Sequence, residues 1–203
     1  MKSLKLAIIL SAALVVSACQ GSTAVRVNSV IDNQPETQAL NARDFQEAAV
    51  EMVESMISSG SLNNPNGGRY ILAISNIDNR TMQRIDTDQL VKKIRVSLLN
   101  SGRVLVTTAV GIGGAEDKMS RAARELREDD EFDQSRVARK SQLQAPEFSL
   151  SGKIIQKDVT VNRSKRLVEY YFQLSLTHIE SGLAYWEGEK QISKMGSSKT
   201  VSW

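Results

Sequence analysis

The sequence predicts an α+β fold, a small mixed sheet that ends in a three-stranded antiparallel meander and is packed by amphipathic helices. Two patterns carry this expectation. Phe45, Ala48, Ala49, Met52, Val53, Met56 and Ile57 recur at helical spacing, and Val168, Tyr170, Phe172, Leu174 and Leu176 alternate strictly with their neighbours. Composition bounds the size: 203 residues, 41% hydrophobic and 24% charged with only 3 Pro, describe a folded chain of one domain or at most two and exclude disorder or a series of domains.

The chain opens with a leader. Residues 1–5 carry Lys2 and Lys5 and no acid, residues 6–16 are apolar except for Ser11, and Ser17 and Ala18 precede Cys19. That is the order of a secretory signal, and its apolar stretch falls short of the ~18–20 residues a membrane-crossing helix needs. Val16-Ser17-Ala18-Cys19 resembles a bacterial lipobox, which implies cleavage after Ala18 and lipidation of Cys19. An ordinary signal peptide with an incidental Cys is the alternative, but the single Cys of the chain stands at the one place a lipobox requires. Gln20 follows, where Asp is the usual inner-membrane retention signal in enteric-type bacteria, so the expected destination is the outer membrane, facing the periplasm. Multiple acyl chains would make that attachment durable.

Loss of residues 1–18 takes two of the 26 basic side chains and leaves 24 against 23 acids. A nearly neutral exported chain has no broad field for nucleic acid. One Cys and one His also exclude a disulfide framework, a Cys/His zinc site and a Cys-His nucleophile pair. No cofactor and no metal are expected.

Residues 19–40 read as a tether, since polar residues and Pro35 are scattered among valines without sustained period. Its reach is ~70 Å fully extended, or about 25 Å as a flexible coil. The globular domain is expected over 41–203. Asn41 caps the first helix and Gly60 stops it. The turn residues 63–68 lead to a buried strand at 70–74, and 76–84 read as a polar loop. Asp86-Thr87-Asp88-Gln89 reads as a capping box opening a second helix, with Val91, Ile94 and Leu98 on its inner face and Gly102 as its stop. A strand is expected over 103–108.

Gly111-Ile112-Gly113-Gly114 lacks the Lys-Ser/Thr of a phosphate loop and reads as a turn. Residues 117–140 are densely charged and read as one or two surface helices with Met119, Ala122, Ala123 and Leu126 on one stripe. The acidic run 128–131 reads as solvated. Phe148, Leu150, Gly152 and Ile154 begin the meander, Arg163-Ser164-Lys165 form one hairpin tip, and Ser181-Gly182 form the next. The final strand holds Trp186 and is expected to end near Ile192, with a loose tail from Gly196. His178 is in phase with the apolar face of its strand and reads as packed there, with no acid or nucleophile identified beside it.

Several blocks carry a resemblance. Residues 76–81 (Asn-Ile-Asp-Asn-Arg-Thr), 85–88 (Ile-Asp-Thr-Asp) and 94–102, which ends in Asn100-Ser101-Gly102, agree in order and spacing with the LpoB family of penicillin-binding protein activators. So do 148–154, 173–176, Glu180-Ser181-Gly182 and Trp186. The chain resembles that family over most of residues 69–190, although the family's long Pro-rich tether is replaced by a short one with a single Pro. The resemblance implies a fold related to the amino-terminal domain of TolB and to the secretion lipoprotein CsgG. It implies an outer-membrane lipoprotein, not an enzyme, that binds and activates a bifunctional class A penicillin-binding protein and so regulates peptidoglycan synthesis. Arg80, Met82 and Arg84 after the first strand, and Arg163, Lys165 and Arg166 at the hairpin, are the candidate partner contacts, because Arg and Met are enriched at interfaces. The competing function is a structural lipoprotein of an outer-membrane secretion or flagellar-associated assembly. A cell-wall hydrolase would need a carboxylate pair or a zinc constellation, and the spacing identifies neither.

Overall fold

The computed structural model describes residues 37–111 and 116–199. The leader, Cys19 and most of the tether segment lie outside these residues, as do Gly113, Gly114 and Trp203.

Helix α1 (Ala42–Ser58) forms where the apolar stripe predicts it. Asn41 Oδ1 accepts from the amides of Arg43 and Asp44, and the Asp44 carboxylate reaches back to the Asn41 amide, so a full capping box starts the helix. Phe45, Ala48, Ala49, Met52, Val53 and Met56 are buried, which makes the methionines core residues. Gly60 ends the element in the left-handed region, φ +77°, where a side chain would be strained.

Strand β1 (Tyr70–Arg80) is longer than expected. Residues 76–80 are strand and not loop, because they pair in parallel with β3 (Phe148–Thr160), from Ile77 opposite Gly152 to Arg80 opposite Ile155. The register shifts between Ile74 and Ile77, and this bulge returns Ile77 to the buried face after two polar residues.

Helix α2 (Asp88–Asn100) buries Leu90, Val91, Ile94 and Leu98, but the capping box expected at its start does not form. Thr87 is itself helical, with φ −69° and ψ −15°, and makes no side-chain cap; the Asp86 carboxylate instead accepts the Asp88 amide at 3.0 Å. Strand β2 is only Val104–Val106, parallel to β1. Helix α3 (Lys118–Glu125) and a short 3-10 turn (Leu126–Glu128) bury no residue, so the expected apolar stripe stays at the surface, with Met119 70% exposed.

Strands β3, β4 (Lys165–His178) and β5 (Leu183–Ser197) pair antiparallel in sequence order, giving a five-stranded mixed sheet in the order β2-β1-β3-β4-β5. Strand β5 runs five residues past Ile192, so Gly196 and Ser197 belong to the sheet rather than to a tail. Helices α1 and α2 pack side by side on one face, α1 over β5 and α2 over β1 and β2. The core lies between these layers, and its largest fully buried side chains include Tyr170, Phe148 and Phe172. The other face is mixed, with the Val159–Leu167–Met195 row among polar residues. A concavity of about 740 Å³ on it is lined by Ser75, Asp78, Ser151, Lys153, Gln173 and Glu187 among others.

Candidate partner-contact surfaces

The chain joins the sheet through a short strap, Gln38 to Leu40, laid across the end of the meander where β4 begins and β5 finishes. Every backbone group of a buried strap needs a partner, and here the partners are side chains. Gln38 is buried; its side-chain Nε2 donates to the Arg166 carbonyl at 3.3 Å, and its backbone carbonyl accepts from the Tyr170 hydroxyl at 2.9 Å. Lys194 Nζ donates to the Ala39 carbonyl at 2.9 Å, and the Leu40 amide donates to Gln83 Oε1 at 3.1 Å. Gln83 Nε2 closes the circuit by donating to the Tyr170 oxygen. Gly196 lets the strap approach: a Cβ there would stand 2.6 Å from the Gln38 side chain.

Beside this circuit Lys194 Nζ meets Asp44 Oδ2 at 2.6 Å, with both side chains almost fully buried. A buried charge of this kind persists only when paired and hydrogen-bonded. Asp44 also closes the α1 capping box, so one carboxylate ties strap, helix and β5 together. Burial pushes the Tyr170 hydroxyl up to about 12, and the Asp158 charge adds to it, so the phenol is neutral and free to donate.

The six predicted contact residues all lie at this end of the sheet, in two patches. Residues 80–84 form a loop organised from within: Asn79 Oδ1 accepts from the Thr81 amide and hydroxyl, and Asn79 Nδ2 donates to the Gln83 carbonyl at 2.8 Å. The loop therefore turns Gln83 inward and leaves Arg80, Met82 and Arg84 exposed. Arg80 makes only a surface ion pair with Asp78 at 3.5 Å. Arg163 and Lys165 stand on the β3–β4 turn, which Asn162 Oδ1 fixes by accepting the Ser164 and Lys165 amides at 2.9 Å. Both are exposed, and Arg166 is half-buried beside Gln38. Arg80 lies opposite Ile155 and Arg166 opposite Thr160, so five strand residues, roughly 17 Å, separate the two patches along β3.

The opposite end carries an aromatic stack. Tyr70 and Tyr185 flank Phe148 with ring centroids at 4.8 and 5.0 Å, and His178 lies 5.2 Å from Phe148 and 5.5 Å from Tyr185. His178 Nδ1 meets the Ser181 hydroxyl at 2.9 Å, so it is a packed strand-end histidine. On the face away from the helices, Gln173 donates to Glu189 at 2.5 Å and Ser175 to Glu187 at 3.0 Å, so much of that surface is spent on cross-strand pairs. Among the described residues, no group of three or more His, Cys, Asp or Glu is placed to hold a metal ion, and no helix is long and apolar enough to cross a membrane.

Sequence reasoning missed the strap and its circuit. Tyr170 was legible as a core-face position of β4, but nothing marked Gln38, Gln83, Asp44 or Lys194 as its surroundings. The available signal was parity: extended two residues, the Trp186 face of β5 would have placed Lys194 toward the core and called for a carboxylate.

Among solved structures the chain is similar to the LpoB C-terminal domain from Escherichia coli, at 15% identity and TM-score 0.44, over 74% of this chain and 99% of that one. It is similar to an NMR structure of E. coli LpoB at 16% identity and TM-score 0.42, over 91% and 85%. It is also similar to lipoprotein GNA1162 from Neisseria meningitidis at 8% identity and TM-score 0.38, over 66% and 87%. No curated protein sequence matches it. The family model described as peptidoglycan-synthase activator LpoB matches residues 44–192, from the first turn of α1 through most of β5. The chain therefore belongs to the LpoB family of peptidoglycan-synthase activators.

Proposed function

We propose that the globular part engages its synthase through the basic end of the sheet, with Arg80, Met82, Arg84, Arg163, Lys165 and Arg166 as contacts. Membership of the family makes the protein an outer-membrane, lipid-anchored lipoprotein that faces the periplasm and activates a class A penicillin-binding protein, and it is not itself an enzyme. The observation that carries this function is the family match over 44–192. Activation by contact needs only that the protein bind the active conformation of the synthase more tightly than the inactive one.

Two features support the basic end as the contact. Its side chains are presented on turns held by their own hydrogen bonds, which lowers the entropy lost on binding. The five cations also give the end a field suited to steering an acidic partner. Residues 1–18 are proposed to be the leader, Cys19 the lipidated residue, 19–40 the tether, whose last three residues are the strap, and 41–203 the activator domain. The fold is proposed to be related to the amino-terminal domain of TolB and to CsgG, a reading supported by two helices on one face of a mixed sheet that closes in an antiparallel meander.

The test is glycan polymerisation by the organism's own class A synthases, with and without the protein expressed from residue 20 onward. A rate increase with one synthase is the expected result and names the partner. No binding and no increase with any of them overturns the reading.

A further inference from the structure

The loop that carries Arg80, Met82 and Arg84 owes its shape and its seat to different bonds. Shape is local. The Thr81 amide donates to Asn79 Oδ1 at 3.0 Å, the Gln83 amide to Thr81 Oγ1 at 3.1 Å, and Asn79 Nδ2 to the Gln83 carbonyl at 2.8 Å. Bonds of this kind close a turn on itself, and they would travel with it if it swung off the sheet as a unit.

The seat comes from outside the loop. The Met82 amide donates to Gln156 Oε1 on β3 at 3.2 Å, and Ile85 packs at the margin of the core. The third hold is the buried side chain of Gln83, and both of its polar atoms are spent on the strap. Its Oε1 accepts the Leu40 amide at 3.1 Å, and its Nε2 donates to the Tyr170 hydroxyl, which in turn donates to the Gln38 carbonyl at 2.9 Å. With the strap lifted, Oε1 would lose its donor in a buried site. A polar group stranded in this way gains by turning out to water, and Gln83 cannot turn out without moving the loop. The strap reaches the second patch as well, where Gln38 Nε2 donates to the Arg166 carbonyl at 3.3 Å.

We infer that Gln38–Leu40 act as a brace for the synthase-contact patches, with Gln83 as the positioning residue through which the docked strap holds Arg80, Met82 and Arg84 in their binding arrangement. The inference rests on the contact residues proposed above. A seated loop has little freedom left to lose on binding, whereas a loose one must first be ordered by the partner. Affinity for the synthase then scales with the fraction of molecules whose loop is seated. Whatever releases the strap thereby weakens the grip on the synthase without touching a contact side chain.

Gly196 offers a way to lift the strap from a position outside the loop, since a Cβ there would stand 2.6 Å from the Gln38 side chain. The experiment compares wild-type protein, Gly196→Val, Gln83→Met and the double variant, each expressed from residue 20. Gln83→Met keeps the length of the side chain and loses both strap bonds. Backbone order parameters and relaxation dispersion are read by NMR at Thr81, Met82 and Gln83, and Kd is measured for the class A synthase that the wild-type protein stimulates. In each single variant the loop order parameters are expected to fall from about 0.85 to below about 0.6, or exchange broadening to appear there, while β3 and β4 keep wild-type values. A merely structural role would lower the urea midpoint and leave the dynamics of the folded loop unmoved. Binding is expected to weaken about tenfold in each single variant, and the double variant to loosen the loop no further than Gln83→Met alone, because both changes break one connection. Should Gly196→Val fail to fold by circular dichroism, Gly196→Ala replaces it. Wild-type loop dynamics in either single variant overturn the inference, as does a double variant in which the two effects add. A loosened loop with Kd within twofold of wild type overturns Arg80, Met82 and Arg84 as contacts, and wild-type protein that binds no class A synthase overturns the activator function, so the three failures are told apart.

Discussion

Replacing Tyr170 by Phe removes one oxygen from the centre of the strap circuit and changes nothing else in volume. That oxygen donates to the Gln38 carbonyl and accepts from Gln83 Nε2, so the variant leaves one buried acceptor and one buried donor without their partner. An unsatisfied buried group costs about 1–3 kcal/mol, and a net deficit of about 2 kcal/mol at pH 7 is the expected outcome. The alkaline limb gives a sharper check. The phenol is pushed up to about 12 in the fold, from an ordinary 10, first by burial and then by Asp158. A raised native pKa means that its contribution is complete below pH 10 and is lost as pH rises through the native value. Two units correspond to about 2.7 kcal/mol. The wild-type protein should therefore lose that much between pH 10 and 12 while the Phe variant does not, so the gap between them closes near pH 12. Lys190, raised by its bonds to Glu51 and then Glu47, also loses its contribution as pH climbs past its ordinary value, but it does so in both proteins and cancels in the difference. Urea unfolding followed by far-ultraviolet circular dichroism from pH 7 to 12 measures both quantities. Parallel stability curves for the two proteins above pH 9 would refute the argument that this hydroxyl sits neutral in a desolvated network.

Lys194→Met strands the Asp44 carboxylate in the core and should cost about 3–5 kcal/mol in the same assay, with much of it recovered when Asp44→Asn is added. Gly152→Ala places a Cβ 2.4 Å from the Gln173 carbonyl oxygen and 2.5 Å from the Leu174 side chain, so strands β3 and β4 must separate. A loss of about 1–3 kcal/mol or failure to accumulate is expected. By contrast Met119→Gln, on a helix that buries nothing, should leave the urea midpoint unchanged within about 0.5 kcal/mol. On the functional side, Arg163→Glu/Lys165→Glu should slow association with the synthase most at low ionic strength, and surface plasmon resonance across a salt series reads the difference.

Much of the architecture was legible because local pattern and tertiary burial agree. Asn41 and the stripe from Phe45 to Met56 define α1 without help from elsewhere, and the alternation from Val168 to Leu176 could only be a half-buried strand. The misreadings fall where a distant partner decides. Asn76, Asp78 and Asn79 are polar enough to read as loop, yet β3 supplies a ladder for them, and the bulge before Ile77 breaks the period that would have announced it. Thr87 has the identity of a cap but takes helical angles, so Asp86 works from one residue further out. The end of β5 was hidden by Lys194 and Gly196, which break an apolar pattern because each faces the strap: one ion-pairs with Asp44, the other clears room for Gln38. The candidate contacts were legible as exposed cations on turns. Their grouping on two turns was legible too, but not their placement at one end of the sheet, since that depends on the register of Arg80 and Arg166 along β3.

The strap also determines how the domain bears load. A pull on the chain ahead of Thr37 arrives first at Gln38, Ala39 and Leu40, whose bonds run to β4, β5 and the loop at Gln83 rather than to the start of α1 alone. These bonds and the Lys194–Asp44 pair stand between such a pull and Asn41, so they yield before the helix is opened from its first turn. Tension on the chain is thereby delivered into β4 and β5, the two longest strands of the sheet. The proposed basic contacts sit at that same strap end, so the turns that would hold the synthase and the bonds that hold the strap share one small region of the sheet.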